Sequence, residues 1–500
     1  MEGLLIALTV LTTTPAVFAA IAGVAWGIVG GALPGISGSI TMALALPFTY
    51  AMDPTTAIIL LASTYVGAEY GGSIPAILIR TPGTSAAVTT AIDGYEMHRQ
   101  GRSGEALGIS LVVGVVGGLV GMILLVAIMQ PLSKVALIFA APGYFALGIL
   151  ALSVIATLSE GSMVKGFLAA IIGLAIATIG IDGVSGLQRF TFGRPELLDG
   201  IQPILIMVGV FALSELFFQA SLPDWEKTAR ATRIVLPDLK MWRRIARPTA
   251  LGTGMGVVEG AMPGAGATVA SFMAYNEAKR WSRHPEEFGK GSPEGVAAPE
   301  AANNAVTATA LVPTLTFGIP GSGSMAVLLG GLILHGIEPG PLLLEKDPGL
   351  VYGLFGGLFV ANLSQFALGF IMLTPCIWLV NQPKPFLMAG ILALIVSGVY
   401  SVDHAVFDIG IMIAAGVLGY FLRFCGFPAL PLVLGLVLGG MIERNYRRSV
   451  ELSYGDHWIF VQDPIAATLL GIAALMVVGS IISNIRKARA AKTREGAAAA

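Results

Sequence analysis

The chain of 500 residues is 55% apolar and 12% charged, against roughly 25% charged in an ordinary soluble protein. Its net charge of -1 comes without any basic stripe interleaved with aromatics, which excludes a nucleic-acid partner. No H-E-x-x-H, nucleophile elbow or G-x-x-x-x-G-K phosphate loop occurs, so the sequence predicts neither an enzyme nor an ATPase. The length of the apolar runs predicts an all-α polytopic membrane protein with about 10 to 14 membrane elements.

No Lys or Arg precedes Arg80, and Glu2 stands where a leader would carry positive charge. A cleaved secretory leader is therefore not expected. The first helix break is the run 31–38 (GALPGISG), with its turn at Pro34-Gly35. A second follows, from Pro75 to Pro82-Gly83-Thr84-Ser85. Runs 109–129, 135–158 and 201–218 approach or exceed the roughly 20 apolar residues that cross a bilayer.

A polar stretch, 221–248, then holds seven Lys or Arg (Lys227, Arg230, Arg233, Lys240, Arg243, Arg244, Arg247) against Asp224, Glu226 and Asp238. Within it Leu239, Trp242 and Ile245 oppose Lys240, Arg243, Arg244 and Arg247, the pattern of a short helix lying on the membrane surface. After it both turns recur, 229 positions on as Pro263-Gly264 in GAMPGAGA, and then from Pro313 to Pro320-Gly321-Ser322-Gly323. Pro75 and Pro82 are seven apart, as are Pro313 and Pro320. Runs 351–380 and 465–482 complete the apolar sequence, and a second basic segment begins at Arg486.

The predicted organisation is a membrane repeat over 1–220, a basic linker with an interfacial helix over 221–248, a second repeat over 249–485 and a basic tail over 486–500. By the positive-inside rule linker and tail face the cytoplasm. Inverted repeats would then place the N-terminus outside. Glycines four apart, such as Gly114 with Gly118, Gly117 with Gly121 and Gly435 with Gly439, fit close helix packing. Cys376 and Cys425 lie in apolar sequence and read as packed thiols.

Proline ends a helix and glycine permits the turn, so each break starts a new helix whose free N–H groups point into the tip. Non-helical backbone at membrane depth survives only buried in protein or lining a wet cavity, and a helix N-terminus there suits an anion. Arg247 flanks the Pro263 turn on one side and Lys279, Arg280 and Arg283 on the other, which favours a re-entrant hairpin over a broken spanning helix. Candidate anion ligands are Ser37, Gly38, Ser39, Arg80, Thr84, Ser85, Gly266, Thr268, Gly321, Ser322 and Gly323. Pro34, Gly35, Pro82, Gly83, Pro263, Gly264 and Pro320 are the structural turn. For the serines and threonines the competing role is plain N-capping.

Ionisable groups inside apolar sequence are functional candidates. Arg80 could fork onto a substrate carboxylate or pair with Glu69. Glu69, Glu259 and Glu300 would accept a proton, and Asn303, Asn304 and Thr307 would supply neutral oxygens for Na⁺; helix–helix hydrogen bonds are the competing role. Beyond a coupling Na⁺ or H⁺, no cofactor or metal is expected.

The runs 31–38, 67–85 (GAEYGGSIPAILIRTPGTS), Asp93-Gly94-Tyr95 and 298–324 (APEAANNAVTATALVPTLTFGIPGSGS) resemble the large membrane subunit of the tripartite tricarboxylate transporters over nearly the whole chain. The resemblance implies a bacterial inner-membrane secondary transporter that takes up a carboxylate by symport. It also implies a small four-helix membrane partner subunit and a periplasmic solute-binding protein. It leaves the substrate open between citrate, other di- and tricarboxylates and aromatic acids. A passive anion pore and a membrane-embedded enzyme are the competing classes.

Overall fold

The structure is a computed structural model that describes residues 2–13, 15–158, 162–183, 185–223, 233–262 and 266–499. Helix dominates: α1 (Glu2–Thr13), α2 (Ala16–Ala32), α3 (Gly38–Ala45), α4 (Pro54–Gly71), α5 (Ser73–Ile79), α6 (Ala87–Arg99), α7 (Ser103–Ala136), α8 (Ala141–Leu158), α9 (Met163–Ala177), α10 (Pro203–Met207), α11 (Ser214–Ser221) and α12 (Leu239–Ala261). The order continues with α13 (Gly266–Trp281), α14 (Pro293–Thr309), α15 (Leu311–Phe317), α16 (Gly323–Leu334), α17 (Leu343–Lys346), α18 (Pro348–Val380), α19 (Lys384–Asp403), α20 (Val406–Phe424), α21 (Ala429–Leu452), α22 (Ile459–Gln462) and α23 (Pro464–Ala499). Among the described residues the strands are a single two-residue pair, Gly180–Ile181 with Gln188–Arg189.

Among the described residues six helical stretches are long and apolar enough to cross a membrane, or seven if α1 and α2, bent by 79°, make one span. This is fewer than the 10 to 14 elements expected. The difference lies in apolar sequence folded as shorter helices, among them Gly38–Thr49 and Gly323–Leu334, which begin at the proline-glycine breaks.

The chain forms two compact units, residues 1–136 with 202–421, and residues 137–201 with 422–500. The basic stretch 221–248 thus separates chain halves without separating compact units. In the first unit α14 is buried along its whole length among α4, α6, α7, α12 and α13. Small residues permit this: a Cβ on Gly117 or Gly121 of α7 would collide with the Ala301 or Ala305 carbonyl, and one on Gly252 or Gly256 of α12 with that of Ala298 or Ala302. Packing replaces the hydrophobic drive between helices in lipid, so these glycines set the distance at which α14 is held.

The expected short interfacial helix is not a separate element. Asp238 caps α12, accepting from the Met241 N–H at 2.7 Å, and the helix runs on through Pro248 to Ala261. Ile245 is buried while Leu239 is 68% exposed, so the three apolar residues do not share one covered face. α12 and α13 instead form an antiparallel hairpin, with the Arg247 guanidinium 5.7 Å from the Trp281 ring centre at its base. The Pro263 and Gly264 turn lies outside the described residues.

In the second unit α21 packs on α8 and α9, and α23 on α8. Gly435 and Gly439 face Ala170 and Ala177. Just beyond the apolar run of α21, Arg189 and Arg447 clamp Asp182 and Glu443, with distances of 2.7 to 3.1 Å.

Candidate functional site

Three of the four breaks lie among the described residues. After α2 the backbone turns at Gly35 (φ 81), and Ser37 caps α3 by accepting from the Ile40 N–H at 3.4 Å. Ser322 does the same for α16, accepting from Met325 N–H at 3.3 Å. These two serines are therefore N-caps. Thr84 and Ser85 do not cap α6, which begins after Ala86 without a side-chain cap.

The second and fourth breaks share their geometry. α5 ends with Arg80 in the left-handed region (φ 55, ψ 20), and α15 ends with Gly318 there too (φ 69, ψ 24). The following N–H, of Thr81 or Ile319, donates to the carbonyl of Pro75 or Pro313, at 3.3 Å in both copies. The bond spans six positions, one more than the 6→1 bond of a Schellman motif, so both helices end in the same widened left-handed turn. The correspondence of Arg80 with Gly318 read from proline spacing is thus a correspondence of backbone.

All the breaks meet inside the first unit. Ser39 Oγ lies 3.4 Å from Ser324 Oγ, joining the first to the fourth. Ser85 Oγ lies 2.8 Å from Thr268 Oγ1, joining the second to the third. A Cβ on Gly266 would sit 3.9 Å from the Gly321 oxygen, joining the third to the fourth. A Cβ on Gly83 would strike the Gly31 carbonyl, and one on Gly323 would be 2.6 Å from Ser39 Oγ. The helix starts and hydroxyls that follow the breaks are thereby brought to one place.

Two carboxylates flank it. Glu300 Oε1 accepts from the hydroxyls of Ser73, at 2.6 Å, and Thr90, and Oε2 accepts from Ser110 at 2.7 Å. Glu69 is also buried, and a Cβ on Gly38 would be 3.0 Å from its Oε1 and 3.2 Å from Ser324 Oγ. Thr84 and Asn303 stand beside the Glu69 carboxyl, yet Glu69 Oε2, Thr84 Oγ1 and Asn303 Oδ1 all lack a hydrogen bond of acceptable geometry. Asn303 spends its amide N–H on the Glu69 carbonyl at 3.4 Å. Three buried oxygens left in this way are an unusual cost, and a cation or a proton would remove it.

The remaining candidates separate from this group. Asn304 donates to the Glu300 carbonyl at 3.0 Å and accepts from Gln365 of α18 at 3.3 Å, and Thr307 donates to the Asn304 carbonyl of its own helix at 2.7 Å. Arg80 is exposed, with its guanidinium 5.7 Å from the Tyr95 ring centre. Among the described residues it makes no ion pair with Glu69. Glu259 is only half-buried. The fold also brings together His284 and Glu286, both exposed, and the half-buried Glu287.

Sequence reasoning missed Asp93 as a working residue. Its Oδ1 accepts from the N–H groups of Gly289, Gly291 and Ser292 at 2.8 to 2.9 Å, and its Oδ2 from the Tyr275 hydroxyl at 2.9 Å. One carboxylate from the first half thus fixes the loop that launches α14. It also missed the π-helical turn Val208–Leu213, whose Phe211 faces Gly323; a one-turn π segment has no local sequence signature.

Residues 17–434 match the tripartite tricarboxylate transporter TctA family. Two proteins of Agrobacterium vitis are similar. One, the "Uncharacterized 52.8 kDa protein in TAR-I ttuC' 3'region", is 40% identical over 468 residues, 93% of both chains. The other, the "Uncharacterized protein in TAR-II ttuC' 3'region", is 38% identical over 234 residues, 47% of this chain and 97% of its own. No solved structure matches. With apolar spanning helices, converging helix breaks and a match over most of its length, the chain is a multi-pass membrane protein belonging to the tripartite tricarboxylate transporter TctA family.

Proposed function

We propose that this chain is the large transmembrane subunit of a binding-protein-dependent secondary transporter of the bacterial inner membrane, importing a di- or tricarboxylate by symport with a cation. A small four-helix membrane subunit and a periplasmic solute-binding protein complete the system. The observation that carries this reading is the meeting of four helix breaks, two from each half, through the Ser39–Ser324 and Ser85–Thr268 contacts. Helix N-termini and hydroxyls gathered in one place offer donors to an anion, and breaks at corresponding positions of two halves mark a carrier's binding site.

In this reading Ser39, Thr84, Ser85, Thr268 and Ser324 face the carboxylate together with the backbone of Gly38, Gly266, Gly321 and Gly323. The coupling Na⁺ or H⁺ goes to Glu69 with Asn303 and Thr84, where acceptor oxygens lack partners. Glu300, already filled by three hydroxyls, holds the frame. The two halves are inverted with the N-terminus outside, and alternating access moves the breaks between the two faces.

The test is uptake by proteoliposomes containing all three components, screened over carboxylates with Na⁺ and pH gradients varied separately. Accumulation that requires both the binding protein and a cation gradient is expected. Flux that ignores both would make the chain a passive pore. Replacing Pro34-Gly35 or Pro320-Gly321 with Ala-Ala is expected to abolish uptake while protein remains in the membrane. Cysteines placed at Ala32 and Ala261 are expected to be labelled from opposite sides.

A further inference from the structure

At the base of the α12–α13 hairpin, away from the residues assigned to transport, a cavity of about 340 Å³ is lined by Arg243, Arg247, Arg283, Trp281, His284 and Glu294 among others. Its acidic member is already committed: Glu294 and Glu287 both pair with Arg244 on the same wall. His284 lies 3.7 Å from Glu286. Among the described residues Arg243, Arg247 and Arg283 make no ion pair, and all three are exposed. Like-charged guanidinium groups around one concavity repel each other unless an anion lies between them.

The surroundings say what kind of anion. On α12 the exposed positions follow one another at helical spacing, Arg243, Arg247, Ala250, Gly254 and Val258, with the exposed Met262 just past its end, so one face runs from two arginines into bare apolar surface. Val258 is 59% and Met262 53% exposed. On α13 the apolar residues Val269, Phe272 and Met273 are exposed in the same way, leading down to Trp281 at the cavity. Arginine and tryptophan above an apolar stripe are the pattern of a membrane–water boundary, and a basic pocket there suits a lipid headgroup.

We infer that this cavity binds the phosphate of an anionic glycerophospholipid, with Arg243, Arg247 and Arg283 around the headgroup and the acyl chains along the exposed face of the hairpin. A soluble phosphate would meet the same guanidinium groups but would leave the apolar face unused. The site lies on the hairpin that carries Thr268, so a lipid held there also steadies the arm that reaches the converging breaks.

The test uses the full chain purified in mild detergent and titrated with phosphatidylglycerol or phosphatidylcholine by native mass spectrometry. Phosphatidylglycerol is expected to bind at least about tenfold more tightly, and the Arg243→Gln/Arg247→Gln/Arg283→Gln variant to lose about 100-fold of that affinity, at about fivefold for each arginine. If the triple variant does not fold, Arg247→Gln alone should lose about fivefold and Arg247→Lys should recover most of it. Unchanged phosphatidylglycerol binding in these variants would overturn the inference. So would displacement of the lipid by glycerol 3-phosphate or inorganic phosphate at equal concentration, which would make this a soluble-anion site. The readout is binding alone, so its failure leaves the transport reading standing, and the reverse.

Discussion

Glu300 and Glu69 are carboxylates of one unit, both buried, and they differ in how many donors reach them. Glu300 sits mid-way along α14 and has three hydroxyl donors from α5, α6 and α7. Glu69 sits near the end of α4 and has a bare oxygen beside two other bare oxygens. Burying a charge without partners is costly, and the fold satisfies one carboxylate fully while leaving the other wanting; the proposed coupling cation would meet that need. The satisfied group joins helices; the unsatisfied one lies where the breaks meet.

That contrast can be broken experimentally. The largest effect is expected for Glu300→Ala, which leaves three buried hydroxyls without their acceptor. Charge-assisted bonds at about 1.5–3 kcal/mol each, not additive, give a loss of about 3–5 kcal/mol, read as the unfolding midpoint in detergent. A protein as stable as the wild type would show that Glu300 is no strut. Glu69→Gln should leave that midpoint nearly unchanged and raise the cation concentration for half-maximal uptake about 10- to 100-fold, the loss of one charged ligand contact at about 1.5–3 kcal/mol. Equal damage to stability from both substitutions would erase the distinction.

Smaller effects test the frame around them. Gly318→Ala puts a Cβ into the left-handed region and 3.3 Å from Pro339 Cγ, and should cost about 1–2 kcal/mol. Arg80→Gly, at the matching turn, relieves the same backbone but gives up the contact with Tyr95, so it should change stability by no more than about 1 kcal/mol. The smallest effect belongs to a carboxylate at the surface. The hydrogen bond from Arg189 holds the Glu443 carboxyl below its ordinary range. Its contribution is therefore present above the ordinary carboxylate range and lost as pH falls through the depressed value. Solvent screening keeps it below about 1 kcal/mol, and Glu443→Gln should flatten that part of the stability–pH curve.

The helix breaks were legible because proline and glycine act on their own backbone. Proline spacing alone paired Arg80 with Gly318, and the fold gives both the same left-handed cap. The roles of nearby polar residues were less legible. Glu69, Glu300, Asn303, Asn304 and Thr307 look alike in a sequence, all polar groups set among apolar ones. What divides them is whether hydroxyls or amides from remote helices arrive at each, and nothing local records that. Asp93 is the extreme case, since its four donors come from residues 275–292.

The sequence by itself determined that the chain is helical, lies in a membrane and is interrupted at four places, because apolar length, proline and glycine act through solvent and the local backbone. It also carried the family, through runs of residues in fixed order. Tertiary structure decided which breaks touch, which carboxylate is satisfied and that the basic stretch continues into a hairpin arm. Those are contacts across as many as 285 positions, and they depend on how closely glycine lets helices approach, a distance that exists only once both helices are in place.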